Sequence, residues 1–147
     1  MKINVEPQDP NFEQRVRESF ARQSIMRLIG ASIALVEAGV VEIEIPTRKD
    51  LTQQDGFMHA GIVTTILDSA CGYAAYTLMP SGSAVLSVEF KVNLLAPAAG
   101  ELIRERAEVR RAGRTLTVCS ADAFADGKLC ATMLATMIRR ETQQELR

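Results

Sequence analysis

A histidine and an aspartate stand nine residues apart near the middle of the chain, and their types make them the strongest candidates for chemistry. His59 directly precedes a long apolar segment, and Asp68 lies inside that segment. An ionised carboxylate among apolar residues is costly, and Asp68 lies too far from the segment's start to act as a helix cap. Asp68 is therefore a candidate base or nucleophile; contact with solvent or with a backbone donor is the other explanation.

The residues His59-Ala60-Gly61 mark the start of the predicted helix. Free N–H groups there, with the positive end of the helix dipole, can stabilise a developing oxyanion. A plain turn in which Gly61 eases the chain into the helix explains the same residues equally simply. Other chemistries find no support, because a single histidine is not a zinc ligand set and no GxSxG motif is present. Cys71 shares the Asp68 face, which disfavours its thiolate. We therefore expect no metal and no cofactor.

The spacing of apolar residues predicts the elements that position these side chains. Helices are predicted over residues 11–28 and 61–79, and the second carries an apolar stripe opposite a face of small residues that includes Asp68. Alternation predicts two strands within residues 31–46 and four more at 84–95, 101–111, 115–124 and 129–138. Because no helix separates the last four strands, we expect an antiparallel meander. The result is an α+β fold in which the long helix covers a six-stranded sheet.

Length and composition describe an ordinary single domain. The 147 residues are 47% hydrophobic with a net charge of −1, so nothing suggests a nucleic-acid partner. The three cysteines form no CxxC pair and are expected to be reduced. The N-terminus lacks a secretory signal, and Pro80-Ser81-Gly82 interrupts the uncharged stretch at 69–88 before it could span a membrane. We therefore expect a cytoplasmic protein without a membrane partner.

The segment QQDGFMHAGIVTTILDSACGYAA, followed by SVEFKVNLLAPAAGE and RAGRTLTVCSADAFADGKLCATMLATM, resembles the PaaI-like branch of the hot-dog thioesterases. The resemblance covers about residues 31–138. It implies a hot-dog domain at 31–140, in which the antiparallel sheet wraps around the long central helix, with an N-terminal helical segment at 1–30 and a polar tail at 141–147. It also implies hydrolysis of an acyl-CoA thioester to a free carboxylic acid and CoA by a homodimer or homotetramer.

The same resemblance assigns a role to each matching position. Asp68 matches the catalytic acid, acting as general base or nucleophile, and His59 matches the loop histidine. The backbone N–H of Ala60 would polarise the thioester carbonyl. Gln53 occupies the position of a loop amide, and Ser87 that of a hydroxyl that supports the acid or its water. In the family the site lies at the dimer interface, with His59 and Gln53 from one protomer and Asp68 and Ser87 from the other.

Three positions depart from the family pattern. Ala60 replaces the first of two glycines but still offers its N–H, and Gln53 is one methylene longer than the common asparagine. Ser87 belongs to the polar set of its strand, opposite an apolar face. That face is expected to hold Leu86, Val88, Phe90, Val92 and Leu94. Ser87 can therefore reach the helix only if the strand twists or bulges.

Basic residues cluster late in the chain and offer a second kind of binding site. The cluster comprises Arg104, Arg106, Arg110, Arg111 and Arg114. It can bind CoA phosphates, or it can be a solvated strand face balanced by Glu101, Glu105 and Glu108. Arg114, after Gly113, is the best single phosphate candidate, and Gly61 is the second expected substrate contact.

Two other functions remain open on this fold. A hot-dog dehydratase also pairs a histidine with a helix acid, but it converts a 3-hydroxyacyl thioester to an enoyl thioester and water. An acyl-CoA sensor would bind without turnover, although such sensors carry a DNA-binding region that one N-terminal helix does not supply. The acyl group itself is not predicted, since phenylacetyl, hydroxybenzoyl and fatty acyl chains all fit the pattern.

Overall fold

One long helix lies across the inner face of a single antiparallel sheet in this computed structural model, which describes residues 5–142. The helices are α1 (Phe12–Arg22), α2 (Ser24–Ile29) and α3 (Ala60–Tyr76), and Lys49–Leu51 form a short 3₁₀ turn. The strands are β1 (Ser32–Glu37), β2 (Val40–Pro46), β3 (Ser83–Leu94), β4 (Leu102–Ala112), β5 (Leu116–Ala125) and β6 (Lys128–Glu141). The predicted α+β class, with six antiparallel strands and a covering helix, is confirmed.

The strand order is β1-β2-β4-β5-β6-β3, and this corrects part of the predicted connectivity. Strands β4, β5 and β6 do form a meander, and the turn at Asp126-Gly127 has positive φ at both residues, as expected for a tight hairpin. Strand β3 does not join that meander through β4. It pairs with β6 instead, so it forms one edge of the sheet. The β3–β4 connection therefore crosses the sheet, a long-range feature that strand periodicity does not reveal.

Helix α3 is buried along its apolar stripe and, towards its C-terminal end, on nearly every side. Cys71 and Ala75, predicted for the small-residue face, are fully buried. The helix ends at Tyr76 rather than Met79. After Thr77 the backbone hydrogen bonds join residues three apart, as in the bonds from Leu78 to Ala75 and from Met79 to Tyr76, rather than four apart. Arg15 of α1 donates to the carbonyls of Tyr76, Met79 and Pro80, and its guanidinium lies 4.4 Å from the Tyr76 ring centroid. Arg15 thus supplies donors to the carbonyls of Met79 and Pro80 just after α3, and a second donor to the Tyr76 carbonyl, which also accepts the Met79 N–H.

A β-bulge divides β3 into two halves, and the side-chain alternation of one half is reversed in the other. The register with β6 shifts between Ser87 and Glu89, so one extra residue is inserted at that point. Cross-strand partners share a face, and Phe90 lies opposite the buried Ala135 whereas Leu86 lies opposite Ile138 on the outer face. The expectation that Leu86, Val88, Phe90, Val92 and Leu94 share one face is therefore wrong, because the bulge reverses the alternation.

The chain ends differ from expectation in smaller ways. The first predicted helix is two helices, since Gln23 takes an extended conformation between α1 and α2. Strand β6 continues to Glu141, where Thr142 bonds to Gly82, so the first residue of the predicted polar tail belongs to the sheet. Residues 143–147 of the predicted polar tail lie outside the described residues. Within residues 5–142, no helix is long and apolar enough to cross a membrane.

Candidate active site

Asp68 and Ser87 form a direct hydrogen-bonded pair between the central helix and the edge strand. Asp68 is half-buried on α3, and its Oδ1 accepts the Ser87 hydroxyl at 2.5 Å. The bulge at Ser87 makes this contact possible, because it turns the hydroxyl towards the helix before the strand alternation reverses. The condition set by the sequence, that Ser87 reaches Asp68 only from a distorted strand, is therefore met. A carboxylate held in this way is oriented, and its second oxygen accepts no hydrogen bond from residues 5–142.

Within residues 5–142, the start of α3 leaves one backbone N–H donor, that of Ala60, without a partner. His59 is the N-cap residue, and its Nδ1 accepts the Gly61 N–H at 2.8 Å. The carbonyl of His59 accepts from Ile62 and Val63. The Ala60 N–H has no acceptor within residues 5–142. The structure therefore differs from the expected row of free donors: Gly61 is committed to the cap, and Ala60 remains the available group.

The close approach of the His59 ring explains why residue 61 is glycine. A Cβ at Gly61 would lie 2.9 Å from His59 Nδ1, which is closer than ordinary contact allows. Because Nδ1 accepts a hydrogen bond, the neutral ring carries its proton on Nε2. His59 is exposed, so this Nε2–H points to a group outside the helix cap or to solvent. Among the described residues, the ring therefore makes one hydrogen bond, through Nδ1, and its Nε2–H donates to none.

Gln53 is held by its own loop in a way that frees its amide nitrogen. The side-chain Oε1 accepts from the backbone N–H groups of Asp55 at 2.5 Å and Phe57 at 3.3 Å. These two donors assign the oxygen and nitrogen of the amide, since only the oxygen can accept. The Nε2 group has no partner within the described part of the chain, and Gln53 lines a cavity that Ala60 also lines.

A single protomer keeps the two halves of the predicted site apart. Gln53 and Ala60 line a cavity of about 430 Å³, here called the loop cavity, whose walls include the 94–98 segment of the chain. Asp68 and Ser87 line a different cavity of about 390 Å³, here called the acid cavity. At about 1.5 Å of helix rise per residue, Ala60 and Asp68 are separated by roughly 12 Å along α3. One chain therefore does not bring its own Asp68 to its own Ala60.

Helix α1 contributes to the acid cavity, which sequence patterns did not indicate. Ser19 and Arg22 of α1, and Gln23 between α1 and α2, line it together with Asp68. The Ser69 hydroxyl lies 3.4 Å from Gln23 Oε1, and Ser19 shares a hydrogen bond with the Tyr73 hydroxyl. Residues on a separate amphipathic helix carry no periodic signal for this role, because it depends on how α1 docks against α3.

The predicted arginine cluster divides into two groups. Arg104 and Arg106 lie on the outer face of the sheet in ion pairs with Glu44, Glu42 and Glu108, as a solvated strand face predicts. The other members lie beside a cavity of about 450 Å³, here called the arginine cavity. Its basic lining residues are Arg110, Arg111, Arg114 and Arg139. Glu105, expected to balance the cluster at the surface, is instead fully buried on the inner face.

The cysteines are not organised for catalysis. Burial raises the pKa of the Cys71 thiol far above its usual range, with smaller contributions from Cys119, Asp68 and Glu105. Burial likewise raises the pKa of Cys119 to about 12. Both thiols therefore stay protonated and behave as small core residues. Among the residues that the structure describes, no group of three His, Cys, Asp or Glu side chains is arranged to hold a metal ion.

Comparison with known proteins identifies the family. Residues 55–131 match the family model described as thioesterase superfamily. A crystal structure of a thioesterase family protein from Silicibacter pomeroyi is 54% identical, covers 88% of this chain and 98% of its own, and superposes with a TM-score of 0.86. An esterase-named protein of Saccharolobus solfataricus is 30% identical over 88% of this chain and 87% of its own length. The PaaI protein of E. coli shares the fold, with a TM-score of 0.82 at 18% identity over 90% of this chain and 96% of its own. The chain therefore belongs to the thioesterase superfamily of the hot-dog fold.

Proposed function

We propose that this protein hydrolyses acyl-CoA thioesters at a site completed by a second copy of the chain. The observation that carries the proposal is the hydrogen bond from Ser87 on β3 to Asp68 on α3, which leaves the second carboxylate oxygen of Asp68 without a partner within residues 5–142. Membership of the thioesterase superfamily indicates thioester hydrolysis as the general reaction. The acyl-CoA substrate and the roles of individual residues are the parts proposed here.

An unpaired edge strand supports the second copy. Strand β3 is long, forms the end of the sheet and exposes several large apolar side chains. Those more than two-fifths exposed are Leu86, Val88, Phe90 and Leu94. Natural proteins seldom leave such an edge uncovered, because it can pair with any other strand. Antiparallel pairing of β3 with its symmetry mate runs the two central helices in opposite directions. The start of one α3 then lies towards the middle of the other, so the separated half-sites meet.

The half-sites together supply the groups that thioester hydrolysis needs. The Asp68 carboxylate either takes a proton from the attacking water or attacks the carbonyl carbon to form a mixed anhydride, which water then cleaves. Negative charge develops on the carbonyl oxygen in both routes. The Ala60 N–H and the Gln53 amide of the partner chain, which have no acceptor within residues 5–142, can donate to that oxygen at the positive end of a helix dipole. Collapse of the tetrahedral intermediate releases CoA as the thiol.

The arginine cavity supports recognition of CoA rather than of a smaller thiol. Arg111 and Arg114 make no ion pair within residues 5–142, and Arg110 donates to the Ser120 hydroxyl. Guanidinium groups without carboxylate partners are suited to phosphate, which they bind through paired N–H donors. If the CoA phosphates bind in the arginine cavity, they lie away from Asp68, where the thioester is cleaved. A variant of Arg114 should therefore affect binding more than turnover.

Release of free thiol from a panel of acyl-CoAs tests the proposed function. The panel should contain phenylacetyl, hydroxybenzoyl and fatty acyl thioesters. Removing the base by Asp68→Asn should lower kcat by about 10²–10⁴ while the protein stays folded, because asparagine is nearly isosteric. Asp122→Asn is the matched control, since Asp122 is an exposed carboxylate on the outer face of the sheet. His59→Ala should cost less than Asp68→Asn.

The same assay separates the alternatives. A dehydratase would form an enoyl thioester from a 3-hydroxyacyl-CoA without releasing thiol. A sensor would bind acyl-CoA without consuming it. A folded Asp68→Asn protein with nearly wild-type turnover would contradict the site assignment. A monomer at micromolar concentration in light scattering would contradict the shared site.

A further inference from the structure

The acid cavity extends well beyond the Asp68–Ser87 pair and has polar groups along much of its length. Its lining on α3 runs from Asp68 to Tyr76, which is roughly 12 Å of helix rise. Ser83, at the start of β3, also lines the cavity, is only 3% exposed, and its hydroxyl has no hydrogen-bond partner within the described residues. A plain hydrocarbon chain would leave that buried hydroxyl unpaired, so the cavity suits an occupant with polar atoms.

Among the described residues, only two charged side chains line this cavity, and their charges have opposite signs. Asp68 is the carboxylate of the proposed chemistry, and Arg22, the last residue of α1, is the cation. Arg15 and Arg17 on the same helix each pair with a carboxylate, whereas Arg22 makes no ion pair within residues 5–142. The cavity therefore contains a positive charge that these residues do not neutralise.

Two contacts to α3 place Arg22 close to the proposed reaction centre. The Ser19 and Tyr73 hydroxyls lie 3.2 Å apart, and the Ser69 hydroxyl lies 3.4 Å from Gln23 Oε1. Arg22 stands between Ser19 and Gln23 in the sequence, so it lies beside the turn of α3 that these two contacts bracket. That turn directly follows the carboxylate proposed to react, and Tyr73 is roughly 7 Å beyond that carboxylate along the helix.

The Ser19–Tyr73 pair adds a neutral donor to the charge of Arg22. Burial raises the pKa of the Tyr73 hydroxyl, and the smaller opposing effects include the Ser19 hydrogen bond and the Arg22 charge. The phenol therefore stays protonated, and its pKa is consistent with a guanidinium nearby. Two hydroxyls that share one hydrogen bond leave one O–H to donate to an occupant. A carboxylate can accept from this O–H and from the N–H groups of a guanidinium together.

We infer that the acid cavity holds the acyl group and selects acyl groups that end in a carboxylate, which Arg22 and the Ser19–Tyr73 pair bind. The inference rests on the proposed function, in which the thioester carbonyl is attacked at Asp68. Carbon–carbon bonds of about 1.5 Å advance an extended chain by about 1.25 Å each, so roughly 7 Å corresponds to about five or six bonds. The substrate class is therefore a dicarboxylic acyl-CoA of about six or seven carbons.

Charge distinguishes this occupant from the other parts of an acyl-CoA. The pantetheine arm is neutral, so it would leave Arg22 without a counter-charge in the cavity. The CoA phosphates have the arginine cavity, where Arg111 and Arg114 make no ion pair within residues 5–142. A terminal carboxylate is the remaining anion that a substrate attacked at Asp68 can bring to Arg22.

The test measures thiol release from acyl-CoAs that differ only at the far end of the acyl group. Adipyl-CoA and hexanoyl-CoA have equal carbon chains, and the methyl ester of adipyl-CoA keeps the added oxygens without the charge. Wild-type kcat/KM should favour adipyl-CoA over both by about tenfold or more. Arg22→Gln should lower that preference to about one or below. Arg22→Lys should keep part of it, because lysine keeps the charge but not the paired donors. Added salt should also weaken it, since Arg22 is exposed.

A matched control uses another arginine of α1. Arg17 pairs with Glu13 and does not line the acid cavity, so Arg17→Gln should leave the adipyl preference unchanged. Thermal unfolding should show both variants folded. Wild-type protein that hydrolyses hexanoyl-CoA at least as well as adipyl-CoA would overturn the carboxylate site and leave hydrolysis intact. An equal loss of kcat/KM for both substrates in Arg22→Gln would assign Arg22 to the CoA portion that they share, and would also overturn it. Absence of thiol release from any acyl-CoA would overturn the proposed function, and this inference with it.

Discussion

Removal of the Ser87 hydroxyl should reduce turnover without unfolding the protein. The hydroxyl donates to Asp68 Oδ1 at 2.5 Å, and a hydrogen bond to a charged group contributes about 1.5–3 kcal/mol. If that bond holds the carboxylate in its reactive orientation, Ser87→Ala should lower kcat about 10- to 150-fold. KM should change little, because Ser87 is not placed against the bound CoA. Ser87→Thr keeps the hydroxyl and should keep most of the activity.

A matched control and a double variant show whether Ser87 acts through Asp68. Thr136→Ala removes a hydroxyl that bonds the Glu89 carboxylate at 2.5 Å on the outer face, and it should leave kcat unchanged. In an Asp68→Asn background, the further change Ser87→Ala should cost little, since the carboxylate it positions is gone. Steady-state thiol release supplies all of these values. A Ser87→Ala protein with wild-type kcat, or full additivity of the two substitutions, would refute the positioning role.

The remaining predictions concern stability and binding. The folded pKa of Glu105 is raised above its ordinary value of 4.5, so the folded protein holds this proton more tightly than the unfolded chain. As pH rises above that value, the wild type should lose about 1.4 kcal/mol of unfolding free energy per pH unit relative to Glu105→Gln, until the folded carboxyl ionises. Denaturation series at several pH values check this, and parallel curves would contradict it. Arg114→Ala should raise KM for acyl-CoA more than it lowers kcat; an unchanged KM at low salt would return Arg114 to an ordinary surface role. Arg15→Ala should lower unfolding free energy by about 2–4 kcal/mol, with Arg15→Lys intermediate, because the carbonyls of Met79 and Pro80 lose this donor and that of Tyr76 keeps only the Met79 N–H; an unchanged denaturation midpoint would show that water replaces the guanidinium.

Local patterns predicted the elements because their causes are local. The apolar stripe of α3, the alternation of β2 and the tight turn at Asp126-Gly127 follow from residues close together in the sequence. The position of β3 at the sheet edge does not, since its pairing with β6 depends on contacts between residues far apart in the chain. Topology of this kind is fixed by the packing of the whole sheet.

The residues of the candidate site also differ in whether local sequence could identify them. Asp68 and His59 could be selected from residue type and spacing alone, whereas Gln53 and Ser87 came from family resemblance. The bulge that turns Ser87 towards α3 has no clear local signature, because no glycine marks it and the strand alternation continues through it in the sequence. The burial of Glu105 was also missed, since its neighbours Arg104 and Arg106 read as a solvated face. Strand alternation correctly places residue 105 on the face of the sheet opposite to those arginines. Because a glutamate is seldom buried, the sequence analysis did not assign it to the inner face.

Subunit complementation tests the central claim, a site shared between two copies of the chain, most directly. Asp68→Asn removes the acid half-site, and Gln53→Glu removes the amide donor while keeping the oxygen that accepts from the Asp55 and Phe57 backbone. Each variant alone should retain little activity. After unfolding and refolding an equal mixture, about half of the dimers contain one chain of each kind, and each such dimer has one intact site out of two. The shared-site account predicts recovery of about a quarter of wild-type thiol release. Activity no greater than the average of the two separate variants would contradict it.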